Sequence, residues 1–128
     1  MLSLTFSTSP TDKPRVSRVL LCKMKDAVLG KQYELSVAFV TSARMKKLNF
    51  EFRRKNTSTD ILSFPLSKMS GEILFCMRDV EAQAPLFDRT SSNFLKFLFI
   101  HGLLHLKGYA HGSRMESEEE KFRKKFNI

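Results

Sequence analysis

The stretch that decides the fold reads Phe94-Leu-Lys-Phe-Leu-Phe-Ile-His101-Gly-Leu-Leu-His105-Leu-Lys-Gly108-Tyr-Ala-His111. Its first part, up to Leu106, is the longest apolar run of the chain, and it is too short to span a bilayer. Read as a helix, this run is apolar on nearly all sides, which is typical of a helix buried in the middle of a protein. We therefore expect the other elements to pack around it.

The buried helix carries two histidines on one face. His101 and His105 are four residues apart, so in a helix of 3.6 residues per turn their imidazoles project from the same side and can share an ion. Gly108 predicts the end of the helix, because glycine adopts the left-handed conformation without a Cβ penalty. The turn that follows can bring His111 back as a third ligand. The residues alone thus predict a metal site at His101, His105 and His111.

The ligand chemistry favours zinc in a catalytic role. Three neutral imidazoles with no neighbouring thiolate differ from closed structural sites, which use four protein ligands and usually include cysteine. One position is left for water, whose pKa a bound zinc ion lowers toward neutrality. The spacing matches that of the metzincin proteases, but Gly102 stands where those enzymes have the glutamate that acts as general base. The alternative interpretation is that these histidines serve packing or lie at the surface. It suits a lone histidine better than three histidines at this spacing.

The histidine motif resembles the signature of the YbeY family of metal-dependent endoribonucleases and ribosomal RNA maturation factors, H-G-x-L-H-L-x-G-Y-D-H. Ala110 replaces the aspartate. Residues 48–65, LNFEFRRKNTSTDILSFP, are similar to the family block L-N-x-x-Y-R-x-K-D-x-P-T-[DN]-V-L-S-F-P, and Gly71-Glu-Ile-Leu is similar to G-D-I-x. The resemblance spans residues 2–122. The other departures from the family pattern are Phe52, Asn56 and Ser58.

The resemblance implies a zinc-dependent, single-strand-specific endoribonuclease that takes part in ribosomal RNA maturation and ribosome assembly, with one Zn²⁺ per chain. It also implies a cleft between the metal helix and an edge strand at residues 61–65, with Arg53 at the rim. Arginine is always charged and can bind a phosphate through two parallel hydrogen bonds, so Arg53 is the candidate catalytic residue. The candidate substrate-binding residues are Arg53, Arg54, Lys55 and Ser63. An ion pair between Arg53 and Asp60 is the alternative interpretation.

Two other function classes remain open at this point. A zincin-like metallopeptidase has the same ligand spacing, although the missing glutamate and the basic composition weigh against it. A ribosome-associated RNA-binding factor with a weak or non-catalytic metal site is favoured by Ala110, because carboxylates behind the ligands often orient metal-bound histidines. Given Ala110, we expect a site that binds metal through its three histidines but more weakly.

The net charge of +9 indicates an anionic partner, since a surface of this kind attracts polyanions such as RNA. We expect single-stranded RNA, most simply ribosomal RNA, and the ribosome or its proteins as partners. One basic cluster, assigned to phosphate contact, contains Arg44, Lys46, Lys47, Arg53, Arg54 and Lys55. A second, on the first helix, contains Lys13, Arg15, Arg18, Lys23 and Lys25. The basic residues near residue 125 complement a helix dipole.

The length indicates a single domain over residues 1–128, and the histidine motif together with the resemblance implies that it is a metal-dependent hydrolase domain. The hydrophobic content is 42%, as in soluble globular proteins, and the first residues lack the basic and apolar regions of a signal peptide. Cys22 and Cys76 lie far apart without a CxxC spacing, which indicates reduced thiols. We expect a cytoplasmic protein without a membrane association.

Alternation of strand and helix patterns predicts a small mixed four-stranded sheet covered by helices, an α+β fold at the α/β boundary with a zincin-like arrangement. The predicted strands lie at residues 2–6, 33–39, 61–65 and 72–77. Two predicted helices have an N-cap, at Thr41 or Ser42 and at Ser91 or Ser92. The other predicted helices begin with Pro14 in the first turn, at Asp79 and at Ser113. Val19 is assigned to the buried stripe of the first helix, and Phe52 to the buried stripe of the second helix. Gly30 is predicted to end the first helix.

Overall fold

Four strands form one mixed sheet, as the sequence predicts. In a computed structural model, which describes residues 2–6 and 16–128, the strands are β1 (Leu2–Phe6), β2 (Glu34–Phe39), β3 (Ile61–Ser67) and β4 (Ser70–Phe75). Their order across the sheet is β1-β2-β4-β3. β1 and β4 run parallel to β2, and β3 pairs antiparallel with β4. This order makes β3 an edge strand, which is the position predicted for residues 61–65.

Five α-helices in the described part of the chain surround the sheet. They are α1 (Arg18–Leu29), α2 (Ser42–Arg53), α3 (Met77–Gln83), α4 (Ser91–Lys107) and α5 (Ser113–Phe126). A short 3-10 helix, Ala84–Phe87, follows α3. None of the helices in the described residues has both the length and the apolar character that crossing a membrane requires.

The alternating side chains of the strands divide the core between the two faces of the sheet. Inward residues of β2 and β4, such as Val37 and Ile73, pack with α1, α4 and α5 in the larger cluster. Leu62 and Leu74 point the other way and pack with Met45 of α2 in a smaller cluster. The period of two in a strand produces this division. It leaves α4 covered by the sheet, α1 and α5, which confirms the predicted buried metal helix.

Several local predictions were wrong in detail. The first helix begins at Arg18 with Ser17 as its N-cap, whereas Pro14 lies outside the described residues. Val19 is 65% exposed and does not belong to the inner stripe. The fourth strand is shifted to Ser70–Phe75, and the helix after it begins at Met77 rather than Asp79.

Lys25 was wrongly assigned to a basic surface. It is buried, and its ammonium donates to the carbonyl oxygens of Gly30, Lys31 and Tyr33 at 3.1 to 3.4 Å. It also pairs with Asp26 at 2.6 Å. A buried lysine requires such partners because an isolated charge away from water is costly. Lys25 therefore ties the end of α1 to the start of β2.

Candidate functional site

The two ends of α4 are fixed by capping. Thr90 is the N-cap, and its hydroxyl accepts a hydrogen bond from the backbone N–H of Asn93 at 3.1 Å. The sequence placed this cap at Ser91 or Ser92, one or two residues too late. At the other end Gly108 adopts φ 109°, as predicted, and its N–H donates to carbonyl oxygens of the last turn. This left-handed turn redirects the chain toward α5.

The turn brings the three histidines together. The nearest ligand atoms of His101, His105 and His111 all lie within 4.8 Å of one another. The Nε2 atoms of His101 and His105 are 3.0 Å apart. Both of these rings are half-buried in α4, whereas His111 is exposed in the loop between α4 and α5. The fold thus assembles the cluster that the spacing predicts.

Hydrogen bonds on the far side of two rings decide where their protons lie. His105 Nδ1 is 3.1 Å from the carbonyl oxygen of Tyr109, which can only accept. His101 Nδ1 is 3.3 Å from Oε1 of Glu119, a carboxylate. Each Nδ1 therefore carries the proton and donates. When both imidazoles are neutral, both Nε2 atoms bear lone pairs and face each other.

Two lone pairs 3.0 Å apart repel each other unless a shared proton or a metal ion lies between or beside them. Two nitrogens bound to one zinc ion at about 2.0 to 2.1 Å in a tetrahedral arrangement are separated by about 3.3 Å, close to the distance seen here. The donor set, neutral imidazole, also suits zinc. Burial lowers the pKa of His105, and the neighbouring His101 lowers it further, which favours the neutral form that metals bind. The three residues therefore fit a zinc ion.

Gly102 explains how α4 comes so close to the edge strand. A Cβ atom at this position would lie 2.9 Å from Ser63 Oγ, 3.0 Å from Ile61 Cδ1 and 3.1 Å from Ile73 Cδ1. These distances are shorter than van der Waals contacts. Position 102 has no room for a glutamate side chain, so the metzincin type of general base cannot stand there.

A cleft of about 640 Å³ opens beside the histidines, between α4, β3 and the end of α2. Its lining residues are Phe52, Arg53, Thr59, Asp60, Ile61, Leu62, Ser63, Phe64, Leu98, His101, His105 and His111. Of the candidate substrate-binding residues, the cleft brings Arg53 and Ser63 together with the histidines. Arg54 and Lys55 are exposed beyond its rim and do not line it.

Arg53 is the last residue of α2 and is exposed. Within residues 16–128, no carboxylate lies within ion-pair distance of Arg53, so the alternative pair with Asp60 is not formed. Asp60 nevertheless lines the same cleft, and burial raises the pKa of its carboxyl group. The guanidinium of Arg53 is thus available to an anion in the cleft.

The position of Arg53 depends on how α2 ends. Arg54 adopts a left-handed conformation with φ 58°, and its N–H donates to Phe50 O at 2.9 Å. Asn49 is buried, and its Nδ2 donates to the carbonyl oxygen of Thr57 at 2.9 Å. Phe52, predicted to face the core, is instead 59% exposed and contacts the ring of Phe64 in β3 at 4.9 Å. These contacts hold the end of α2 against the edge strand.

No spacing or motif in the sequence singles out Glu119, the acid that contacts His101. It is on α5, is 9% exposed, and its second oxygen lies 3.8 Å from Arg123. The available signal was its place between Met115 and Phe122 on the buried stripe of α5, where a charged residue is unusual. Ala110 provides no carboxylate, but Glu119 places one beside His101. Ala110 is exposed and lines a separate depression with Lys107 and Arg114.

Three other acids on nearby elements are placed differently. Glu72 lines an apolar pocket on the α2 side of the sheet, and Glu116 lines a groove of about 420 Å³ between α4 and α5. Glu118 accepts hydrogen bonds from Lys121 and Tyr109, which lower its pKa. None of these three carboxylates lines the cleft.

Comparison with known proteins identifies the family. The family model described as Endoribonuclease YbeY matches residues 7–127. A relative named endoribonuclease YbeY from Mycoplasmopsis synoviae is 38% identical over 104 residues, covering 73% of this chain and 67% of that protein. The one from Listeria welshimeri is 33% identical over 129 residues, covering 86% and 78%.

A solved structure agrees with the sequence relatives. The solution structure of TM1509 from Thermotoga maritima superposes with a TM-score of 0.66 at 27% identity, covering 98% of this chain and 89% of that one. The family model spans the histidine cluster, the cleft and Arg53. The chain therefore belongs to the endoribonuclease YbeY family.

Proposed function

We propose that this chain is a cytoplasmic, zinc-dependent endoribonuclease that cuts single-stranded RNA and acts in ribosomal RNA maturation and ribosome assembly. Its family relatives bear the name of an endoribonuclease. The net charge of +9 suits an RNA substrate, because a basic surface attracts the phosphate backbone. The whole chain acts as one metal-dependent hydrolase domain.

A single observation carries the proposal. The Nε2 atoms of His101 and His105 face each other at 3.0 Å, and an acceptor lies beside the Nδ1 atom of each ring. This arrangement favours a cation at the floor of a cleft whose rim carries an exposed arginine, Arg53. A cation and a guanidinium facing one cavity are suited to a phosphodiester, since both bind its oxygens.

His101, His105 and His111 would hold the ion. When bound, zinc supplies Lewis acidity, which activates water for attack near neutral pH and draws electron density from a phosphoryl oxygen. Arg53 binds the scissile phosphate through paired N–H donors and stabilises the negative charge that develops on it. The Ser63 hydroxyl, on the strand facing His101 and His105, donates a hydrogen bond that orients the substrate backbone.

Arg54 and Lys55 bind phosphates that flank the cut. Both are exposed to solvent immediately beyond the rim. Contacts from these residues to phosphates hold the RNA strand without recognising its base sequence. The cleft opens along β3, and a strand lying there can present one phosphate to Arg53 and its neighbours to the basic rim.

The other two function classes differ in what the site can do. A peptidase lacks its general base, because Gly102 has no space for glutamate. An RNA-binding factor with a weak metal site would use the same charged rim without cleavage. The choice between nuclease and binder is therefore an experimental one.

Cleavage of an end-labelled single-stranded RNA tests the proposal. We expect cleavage that chelation abolishes and added zinc restores, with an RNA duplex of the same sequence cut far more slowly. Casein under identical conditions serves as the peptidase control. RNA binding without cleavage at any zinc concentration would support the binding factor instead, and casein hydrolysis would support the peptidase.

A further inference from the structure

We infer that Glu119 is a positioning residue for the metal site: its carboxylate fixes the tautomer and orientation of His101, and so lies behind a ligand in a chain whose residue 110 is alanine rather than the family aspartate. This inference rests on the metal site of the proposed function and adds to it a residue on a different helix. It concerns metal affinity rather than the chemical step.

The first support is the contact itself. Oε1 of Glu119 lies 3.3 Å from Nδ1 of His101, and Oε2 lies 3.8 Å from the guanidinium of Arg123. One carboxylate oxygen thus has a hydrogen-bond partner and the other lies within ion-pair distance of a guanidinium, which favours one orientation of the group. A carboxylate behind a ligating histidine holds the proton on the remote nitrogen and raises the basicity of the nitrogen that faces the metal.

The second support is burial. Met115, Glu119 and Phe122 are the buried residues of α5, so Glu119 occupies a position of an apolar stripe. A carboxylate there loses hydration and is retained only where specific partners compensate. An apolar side chain at this position would pack without that cost, so packing does not explain the glutamate.

The third support is that the contact between Glu119 and His101 links the helix that carries His101 to the helix that follows His111. His101 is on α4, whereas His111 lies two residues before α5 begins at Ser113. The Glu119 to His101 contact joins these two helices on the site side. Arg123, which anchors the carboxylate, also lies 5.4 Å from the ring of Phe97 on α4. The contact therefore restrains the helix that determines where His111 can lie.

The test compares Glu119→Leu and Glu119→Gln with Glu120→Leu and Glu120→Gln. Glu120 is the next residue of α5, is exposed, and pairs with Lys124 at 3.2 Å. The same substitutions at Glu120 therefore make the same chemical change away from the metal site. Zinc affinity is measured by competition with a chromophoric chelator. We expect Glu119→Leu to lose about 10- to 100-fold in zinc affinity. Glu119→Gln keeps an acceptor without the charge and should lose less, and the two Glu120 variants should stay within about twofold of wild type.

Two readouts on metal-free protein separate positioning from a structural role. Nitrogen-15 NMR of the imidazoles should show His101 protonated at Nδ1 in the wild type and a mixture of tautomers in Glu119→Leu. The melting temperature of metal-free Glu119→Leu should equal or exceed that of the wild type, since an apolar residue replaces a buried charge.

Unchanged zinc affinity, or an unchanged His101 tautomer in Glu119→Leu, would overturn the inference. A large fall in the melting temperature with no loss of zinc affinity would do the same. A chain that binds zinc with this dependence on Glu119 but cuts no RNA would leave the inference standing and refute the proposed function. The NMR readout decides the role of Glu119 even in protein that takes up no zinc.

Discussion

The two walls of the cleft are built in opposite ways. One wall is α4, a helix covered by the sheet and by α1 and α5, whose histidines have hydrogen-bond partners at Tyr109 and Glu119. The other wall is the edge strand β3 with the end of α2, where Arg53 is exposed and has no ion-pair partner in the described residues. The first is organised before any ligand arrives, and the second offers free charge to a ligand.

The difference predicts how each wall responds to substitution. Groups that hold a metal need fixed geometry, and in the helix wall buried contacts orient the metal ligands. Groups that attract a flexible polyanion need exposure, so the exposed charges of the strand wall contribute little to stability. Substitutions in the two walls should therefore separate metal binding from substrate binding.

The largest effect is expected in the helix wall. His105→Ala removes the imidazole nearest to His101, so we expect loss of tight zinc binding and of RNA cleavage, with zinc affinity reduced more than about 100-fold. Metal content after dialysis and single-turnover cleavage are the measurements. The metal-free protein should keep its helical circular dichroism, which serves as the control. Stoichiometric zinc in the variant, or coordination through Cys22 or Cys76, would contradict the ligand assignment.

A large effect on cleavage alone is expected in the strand wall. Arg53→Ala should slow RNA cleavage by about 100-fold or more, because the charge acts on the transition state, and should alter the free energy of unfolding by less than about 1 kcal/mol. Zinc affinity should not change. Lys31→Ala, which removes one positive charge from an exposed turn, is the matched control for overall electrostatics. Equal cleavage rates for Arg53→Ala and wild type at the same salt concentration would end the catalytic assignment.

A smaller effect is expected where the walls meet. Gly102→Ala places a Cβ atom 2.9 Å from Ser63 Oγ. Overpacking costs about 1 to 3 kcal/mol, and the better helix propensity of alanine offsets about 1 kcal/mol of that. We expect a net loss of about 1 kcal/mol in urea unfolding.

The double variant Gly102→Ala with Ser63→Ala provides the control for this contact. Removing the hydroxyl relieves the shortest of the three approaches, so the double variant should be more stable than the sum of the single effects predicts. Strict additivity of the two changes would show that the helix and strand do not meet at this point.

The sequence predicts the helix wall better than its surroundings because the relevant information is local. The four-residue spacing of His101 and His105 and the left-handed turn at Gly108 follow from helix geometry alone. The edge position of β3 and the mixed sheet followed from the resemblance and from the alternation of patterns. Arg53 at the rim was likewise implied by the resemblance, and the cleft includes it.

The remainder depends on contacts between residues distant in the chain. Glu119 meets His101 across 18 positions, and no pattern within α5 reveals that partner. Lys25 looks like a surface lysine until the three carbonyl oxygens around it are known. Phe52 falls on the inner stripe by spacing, but α2 ends at the sheet edge, where Phe64 is its neighbour. Tertiary placement decided each of these cases.

The smallest effect is expected outside both walls, at Ala110. The resemblance implies a gain on restoring the aspartate, but the Nδ1 atoms of His101 and His105 already have acceptors in Glu119 and Tyr109. Only His111 remains for a carboxylate at position 110 to orient. We therefore expect Ala110→Asp to tighten zinc binding by less than about tenfold, the lower end of the usual range for such partners, and to raise cleavage by no more than that factor. Ala110→Asn, similar in size but uncharged, is the control in the same chelator competition. A gain approaching 100-fold in Ala110→Asp alone would mean that Glu119 does not fill the aspartate's role, and that the helix wall is less completely organised than its hydrogen bonds indicate.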